Sequence, residues 1–463
     1  MVPVMPNGNT NNISRRRFIE GAAVASAIGA AGPALAAPAK LSDIDHIIIL
    51  MKENRSFDHY FGSLRGVRGF DEGGAVFRQA DPENPDGYVL PFRLDTSATS
   101  AQRLHVLDHT WRIQHMAWNG GRMDRWIEAH RLADRDFGPL TMGYMTRADI
   151  PYYYALADAF TLCDGYFSSL MGPTHPNRYF LMTGTNDPNG VGGGPAIDNR
   201  GKAYHWETYP ERLERAGVSW RVYHDTDDYN CNVCKYFTQY QAAPTTSPLY
   251  ENAMRDRPFS ALLADLRSGN IPQVTWIVPP AAESEHPAYM PAAGEAHTAQ
   301  VLDALWSNPT LWARTALILN YDENDGQFDH VTPPTAPPGT PDETVQGLPV
   351  GLGFRVPCLV ISPFSRGGAV CGRVFDHTST LKLIEARFGV EIANLSRWRR
   401  DTVGDLTAAF GFGAPPDLSL PQMPDAQRGL LLAMSEAATL APPAVPARQA
   451  MPRQEPGTRP RRA

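Results

Sequence analysis

Long hydrophobic runs are missing from most of this chain: beyond residue 37 no stretch is long and apolar enough to read as a membrane-spanning helix. Cysteine is scarce, 5 in 463 residues, which excludes a fold built on disulfides. Positive charge is not in excess, because 42 Lys and Arg face 49 Asp and Glu for a formal charge of −7. That balance gives no electrostatic reason for a nucleic-acid partner, and none is expected. No internal repeat is visible, so stacked-repeat architectures drop out. What is there is ordinary globular composition, 43% hydrophobic and 20% charged, in a chain long enough for one large or two ordinary domains.

The two ends differ from the middle. Ser14-Arg15-Arg16-Arg17-Phe18 precedes a weakly apolar Ala/Gly-rich segment, and Ala34-Leu35-Ala36 has the small-x-small form that a signal peptidase accepts. Residues 1–36 therefore read as a twin-arginine export signal, with the Tat machinery as partner and a mature chain starting near Ala37, periplasmic or secreted. Residues 443–463 are rich in Pro, Arg, Ala and Gln without apolar periodicity, and are expected to be disordered.

The stretch Asn320-Tyr321-Asp322-Glu323-Asn324-Asp325-Gly326-Gln327-Phe328-Asp329-His330 follows the apolar run Ala316-Leu317-Ile318-Leu319. A buried strand delivers its last side chains to the carboxyl edge of a sheet, where open α/β sheets bind ligands. Adjacent carboxylates repel one another unless a cation or basic partner lies between them. This reads as a metal site; the plainer alternative is a surface turn. The alternate-position ligands and closing Glu of an EF-hand are absent, so a second segment must complete it.

Ile44 to Met51 is a second buried run, and it empties into Lys52-Glu53-Asn54-Arg55-Ser56. Glu53 and Asn54 offer a carboxylate and an amide oxygen for a divalent cation, or else open a helix with Asn54 as its cap. In Met171-Gly172-Pro173-Thr174-His175-Pro176-Asn177-Arg178 the prolines and glycine hold the backbone around one hydroxyl. Thr174 is either a nucleophile at a helix start or a capping residue. Asp108-His109-Thr110-Trp111 and Ala117-Trp118-Asn119-Gly120 suit a pocket wall, though a structural histidine beside tryptophan is as common.

Strand-like segments at 271–280 and 355–363 alternate with helical ones at 152–160, 298–306 and 381–388, the last capped by Asp376. That order implies a largely parallel α/β sheet flanked by helices. Residues 185–252, rich in Gly, Asn, Asp, Tyr and Pro, are expected to run over the active-site face and select substrate. Cys231 and Cys234 form one Cys-x-x-Cys without a second pair or nearby His, so a local disulfide is expected; Cys163, Cys358 and Cys371 read as core.

Taken together, Glu53-Asn54-Arg55-Ser56-Phe57-Asp58-His59, Gly172-Pro173-Thr174-His175-Pro176-Asn177-Arg178, Ser284-Glu285-His286-Pro287, Tyr321-Asp322-Glu323-Asn324-Asp325-Gly326 and Asp376-His377-Thr378-Ser379 resemble the bacterial phospholipase C and acid phosphatase family of phosphoesterases. The resemblance runs from about Asp43 to Phe410, in the family's order. It implies an alkaline-phosphatase-like fold in residues 37–442 and one divalent metal ion, of unspecified identity, surrounded by Glu53, Asn54, Asp322 and Glu323 with Thr174 beside it as nucleophile. His286 and His330 would contact the phosphoryl oxygens or leaving group, and His109 and Asn119 would line the pocket.

The motif strings look more like the phospholipase C branch, which implies a phosphatidylcholine-like phospholipid substrate and a phosphothreonyl intermediate. A phosphatase or phosphodiesterase on soluble esters is the alternative, and a non-catalytic binding protein the remote one. Relatives of this branch often continue into C-terminal β-rich modules that this sequence does not show. Peripheral membrane contact would then be weaker or fall to residues 185–252.

Overall fold

A computed structural model describes residues 38–462; the export signal expected at residues 1–36 lies outside them. The centre is an eight-stranded sheet. In chain order its strands are β1 (His46–Lys52), β2 (Thr161–Cys163), β3 (Trp220–Tyr223), β4 (Val274–Ile277), β5 (Thr315–Tyr321), β6 (Cys358–Ile361), β7 (Val370–Cys371) and β8 (Arg461–Arg462). Across the sheet they lie in the order β8-β7-β2-β6-β5-β1-β4-β3. Only β6 runs against its neighbours; every other pairing is parallel. The mostly parallel α/β architecture expected from the alternation of strands and helices is therefore the one found.

β1 and β5 are neighbours in the middle of the sheet because both are apolar on both faces, as a strand covered by helices on each side must be. Ile47 to Leu50 and Ala316 to Leu319 are buried throughout. The pair runs in parallel register from His46 opposite Thr315 to Lys52 opposite Tyr321. Glu53 and Asp322 therefore leave the sheet side by side, and the Asp322 amide donates to the Lys52 carbonyl at 3.2 Å. Asn54 then takes a left-handed turn with φ 56°, which folds the chain back over the sheet edge.

Four helices matter for the site: α1 (Trp111–Trp118), α2 (Pro151–Ala159), α3 (Thr174–Thr183) and α4 (Pro291–Trp306). α3 begins at Thr174 itself, with Pro176 in its first turn, where a missing N–H costs nothing. All ten of its residues are buried. Asp376 caps the helix His377–Phe388 by accepting from the Thr378 amide at 2.9 Å, as its sequence position suggested. Residues 185–252 are more structured than a surface excursion, since they include the helix Tyr209–Ala216 and the edge strand β3.

The segment 443–463, expected to be disordered, is described through residue 462 and packs on the sheet. β8 pairs in parallel with β7, Arg459 donates to the Ala157 carbonyl at 2.6 Å, and Arg461 pairs with Asp164 at 2.8 Å. Gln454 reaches the Leu64 carbonyl at 2.6 Å. The segment is held by polar side chains reaching backbone carbonyls and carboxylates, which a search for apolar periodicity does not register. Among the described residues no helix is long and apolar enough to cross a membrane.

Candidate active site

The carboxyl ends of β1 and β5 collect the acidic side chains. Asp322 is fixed on both sides, accepting from Arg178 Nε at 2.8 Å through Oδ2 and from the Glu323 amide at 2.8 Å through Oδ1. The same Arg178 guanidinium lies 3.7 Å from Glu53 Oε1. Arg178 stands one helical turn after Thr174 on α3, so the two share the helix face turned to these carboxylates. Thr174 is 5% exposed, and the α3 cap is Pro173 without a side-chain bond, so the Thr174 hydroxyl is not the cap that the plainer reading made it. The cap before Phe57 is likewise Ser56, accepting from the His59 amide at 3.1 Å, which leaves Asn54 free of that duty.

Asn54, Glu323 and Asp325 form the next layer. Asn54 Nδ2 donates to Asp325 Oδ1 at 3.2 Å, and the Leu107 amide donates to Asp325 Oδ2 at 3.1 Å. His109 stands 3.6 Å from Glu323 Oε1 and 3.3 Å from Asp325 Oδ1, close enough for the three to hold one ion together. Asp325 was inside the acidic stretch but was not singled out in the sequence; its left-handed turn, φ 51° before Gly326, aims it back at His109. His286 completes the wall, its ring centre 6.5 Å from that of His109 at a steep angle.

Fit to a cation is tested by the atoms left without partners. Glu53 Oε2, Asn54 Oδ1 and Glu323 Oε1 are buried and accept no hydrogen bond from the described residues. Burial pushes the Glu53 carboxyl up to about 8 despite Arg178. Burial likewise raises Asp322, and raises Glu323 well above the usual carboxylate range. Burial opposes the charge on His109, but Glu323 and Asp325 outweigh it and lift the imidazole to about 10. Three unpartnered oxygens among crowded carboxyls that resist ionisation are the mark of a site short of positive charge, which a divalent ion supplies. The donors are oxygens with one imidazole at hand, a set suited to hard or borderline ions.

Two of the expected residues are not brought here. His330 Nδ1 contacts Asp58 Oδ2 at 2.6 Å and Nε2 contacts Glu72 Oε2 at 3.0 Å, so neither ring nitrogen is free to meet a substrate. Asp58, Asp329 and His330 resemble a second ion site, but Arg355 fills it, donating to Asp329 Oδ1 and to Asp58 Oδ1 at 2.9 Å each. Asn119 ends α1 in a left-handed conformation, and its side chain is spent on Asp124 at 2.6 Å and Arg122 at 2.5 Å. Gln114, five residues earlier, is the buried amide of α1, donating to Asn324 Oδ1 at 2.6 Å.

The expected Cys231–Cys234 disulfide is also absent: both thiols are free and buried. Cys231 Sγ instead donates to Glu53 Oε1 at 2.8 Å, which engages one oxygen of that carboxylate and leaves Oε2 turned to the site. Cys231 comes from the 185–252 segment, so that segment does reach the acidic cluster.

An α/β enzyme with a carboxylate-rich pocket at the edge of a mostly parallel sheet is the class that fold and site define. The chain belongs to the phosphoesterase family, whose model matches residues 44–391. It is 45% identical to the non-hemolytic phospholipase C of Pseudomonas aeruginosa over 97% of this chain and 71% of that protein. Its identity to phospholipase C B of Mycobacterium tuberculosis is 42%, covering 96% of each chain. Among solved structures, an alkaline phosphatase superfamily protein from Vibrio parahaemolyticus aligns over 88% of this chain and 89% of that one at 10% identity, with a TM-score of 0.36. The chain is a hydrolase acting on phosphoester bonds.

Proposed function

We propose that the protein is an exported phospholipase C that hydrolyses phosphatidylcholine-like phospholipids to diacylglycerol and a phosphorylated head group, with Thr174 as nucleophile. The observation that carries the site is α3: its first residue is a hydroxyl free of capping, and one turn later Arg178 holds Asp322 at 2.8 Å. The substrate rests on the phospholipase C names of relatives above 40% identity that span nearly the whole chain. Export rests on the twin-arginine pattern of residues 14–36.

Glu53, Asn54, Asp322, Glu323 and Asp325 would hold the divalent ion, with His109 beside them. Bound there, it would stabilise the Thr174 alkoxide and neutralise charge on the phosphoryl oxygens. The chain's own part begins with Thr174 at the start of α3, where the His175 amide donates to Asn199 Oδ1 at 2.9 Å, Pro176 has no N–H, and the positive end of the helix favours the phosphoryl charge. Thr174 Oγ1 gives its proton to water and attacks in line, the P–O bond to diacylglycerol breaks with a proton taken up by the leaving oxygen, and a phosphothreonyl group remains; water then attacks that phosphorus, the bond to Oγ1 breaks, the proton from water returns to Oγ1, and phosphocholine is released.

His109 and His286 flank the reacting centre and serve the leaving alkoxide. Burial lowers the His286 imidazole to about 4, so it is neutral at pH 7 and orients by hydrogen bonding, and its Nδ1 has no partner among the described residues. The proton then falls to His109, which stands 3.6 Å from Glu323 Oε1 and 3.3 Å from Asp325 Oδ1.

The test is turnover of phosphatidylcholine and of an aryl phosphate by the mature chain and by Thr174→Val, with and without a chelator. Lipid turnover that falls by about three orders of magnitude in the variant, and is lost with the chelator, is the expected result. Cleavage of the aryl phosphate alone overturns the lipid assignment. Full activity in Thr174→Val overturns the nucleophile.

A further inference from the structure

Three of the segments that build the site have a neighbour buried at one carboxylate. Lys52 precedes Glu53, Tyr321 precedes Asp322, and Glu285 precedes His286. Side chains alternate along an extended chain, so while Glu53 and Asp322 face the site, Lys52 and Tyr321 turn into the core behind it, where Glu285 joins them. There Glu285 Oε2 accepts from Tyr321 Oη at 2.8 Å and from Tyr60 Oη at 2.7 Å. Its Oε1 accepts from Tyr153 Oη of α2 and lies 3.6 Å from Lys52 Nζ. The Lys52 ammonium is held in turn by the Glu283 carbonyl at 2.9 Å and the Gly294 carbonyl at 3.1 Å. Glu285 and Lys52 are fully buried.

The backbone repeats the arrangement. The Glu53 amide donates to the Ser284 carbonyl at 2.8 Å, and Arg55 Nε donates to the Glu285 carbonyl at 2.8 Å. Glu285 itself stands at φ 73°, a conformation that non-glycine residues seldom adopt. This turn sends its carboxylate inward and leaves His286 on the pocket side. α4 leaves room for the carboxylate only through Gly294, where an added Cβ would fall 2.0 Å from Glu285 Oε1.

A buried carboxylate with this many donors costs free energy to desolvate, and an apolar core of the same volume would hold the sheet edge as well. What an apolar core could not do is set the relative positions of two strand ends and the turn at Glu285 by directed hydrogen bonds. We infer that Glu285 is a positioning residue for the hydrolytic site: its carboxylate ties the residues preceding Glu53 and Asp322 to its own segment, and so sets the spacing of Glu53, Asp322 and His286. The inference rests on the site proposed above, and it requires no particular ester.

The test uses Glu285→Gln, which keeps the volume but replaces one acceptor oxygen by a donor facing Tyr153 and Lys52. Four quantities are measured on the full mature chain: kcat and KM on an aryl phosphodiester, Mn²⁺ affinity by calorimetry after chelator stripping, and the thermal midpoint. Expected are a kcat lower by about tenfold or more with KM within about twofold, and Mn²⁺ binding weaker by about tenfold. Gly294→Ala, which pushes on the same carboxylate, should shift both quantities in the same direction.

If Glu285→Gln does not fold, Tyr321→Phe and Tyr60→Phe each remove one donor without stranding a charge, and the same shifts, smaller, are expected from both. Unchanged kcat and unchanged Mn²⁺ affinity in the folded variants would overturn the inference. Because Mn²⁺ binding needs no substrate, this failure is distinct from failure of the phospholipase reading, which would show as absent lipid turnover in the unaltered protein.

Discussion

Replacing Arg178 by methionine removes the guanidinium that faces Glu53 and Asp322 while keeping a long apolar stem in the same space. Arg178 is 2% exposed and Asp322 fully buried, so water cannot take over the lost contact. Breaking a buried pair from one side costs about 3–5 kcal/mol, because the remaining charge is left uncompensated. That is a large part of the roughly 5–15 kcal/mol that holds a typical domain together. Chelator-treated Arg178→Met should therefore unfold at markedly lower denaturant concentration than the unaltered chain.

A divalent ion should return part of the loss by supplying the missing charge. At a concentration near 100 times its dissociation constant, binding to the folded state adds about 2.7 kcal/mol. The assay is equilibrium urea unfolding followed by tryptophan fluorescence, with chelator and with Mn²⁺. A loss below about 1 kcal/mol in the chelated protein would refute the reasoning. It would mean that Asp322 and Arg178 are not charged and paired as their 2.8 Å contact requires.

His330→Gln tests the assignment of that residue to an ion-pair network. Burial opposes its charge, but Asp58 and Glu72 hold its folded value up to about 9, above the ordinary 6.5. Its contribution to stability is thus fully present below pH 6.5 and is lost as pH rises through 9. The variant should be less stable near pH 6, with the gap narrowing by pH 9 to 10 in unfolding curves, while Mn²⁺ affinity stays within about twofold; a tenfold loss of affinity would return His330 to the site. Truncation after Leu440 removes β8 together with the Arg459 and Gln454 contacts, and should lower the thermal midpoint by several degrees. An unchanged midpoint would mean that the segment adds nothing to the folded core.

By itself the sequence determined the long buried strands at 44–51, 271–280, 316–319 and 355–363, several of the helices, and the chemical types at the site. β1 and β5 were legible because strands buried on both faces leave unbroken apolar runs, and the polar residues that end each run are read directly from the chain. Glu53, Asn54, Asp322 and Glu323 became candidates that way, each within a few residues of its strand end, and Thr174 through the Gly-Pro turn before it. The tertiary structure alone decided pairings between distant parts of the chain. His330 follows the acidic stretch closely, yet Asp58, 272 residues away, claims its ring. Asn119 and Gln114 are both amides on one short helix, and only the way α1 packs shows that Gln114 is the one turned inward.

Arg178, Cys231 and Glu285 likewise gain their partners from sheet register and helix placement, which no local pattern records. The 443–463 segment shows the same limit from the other side, because polar contacts order it where composition suggested disorder. Local periodicity reports which face of an element is buried; which groups meet there depends on strand order, and strand order is a property of the whole chain.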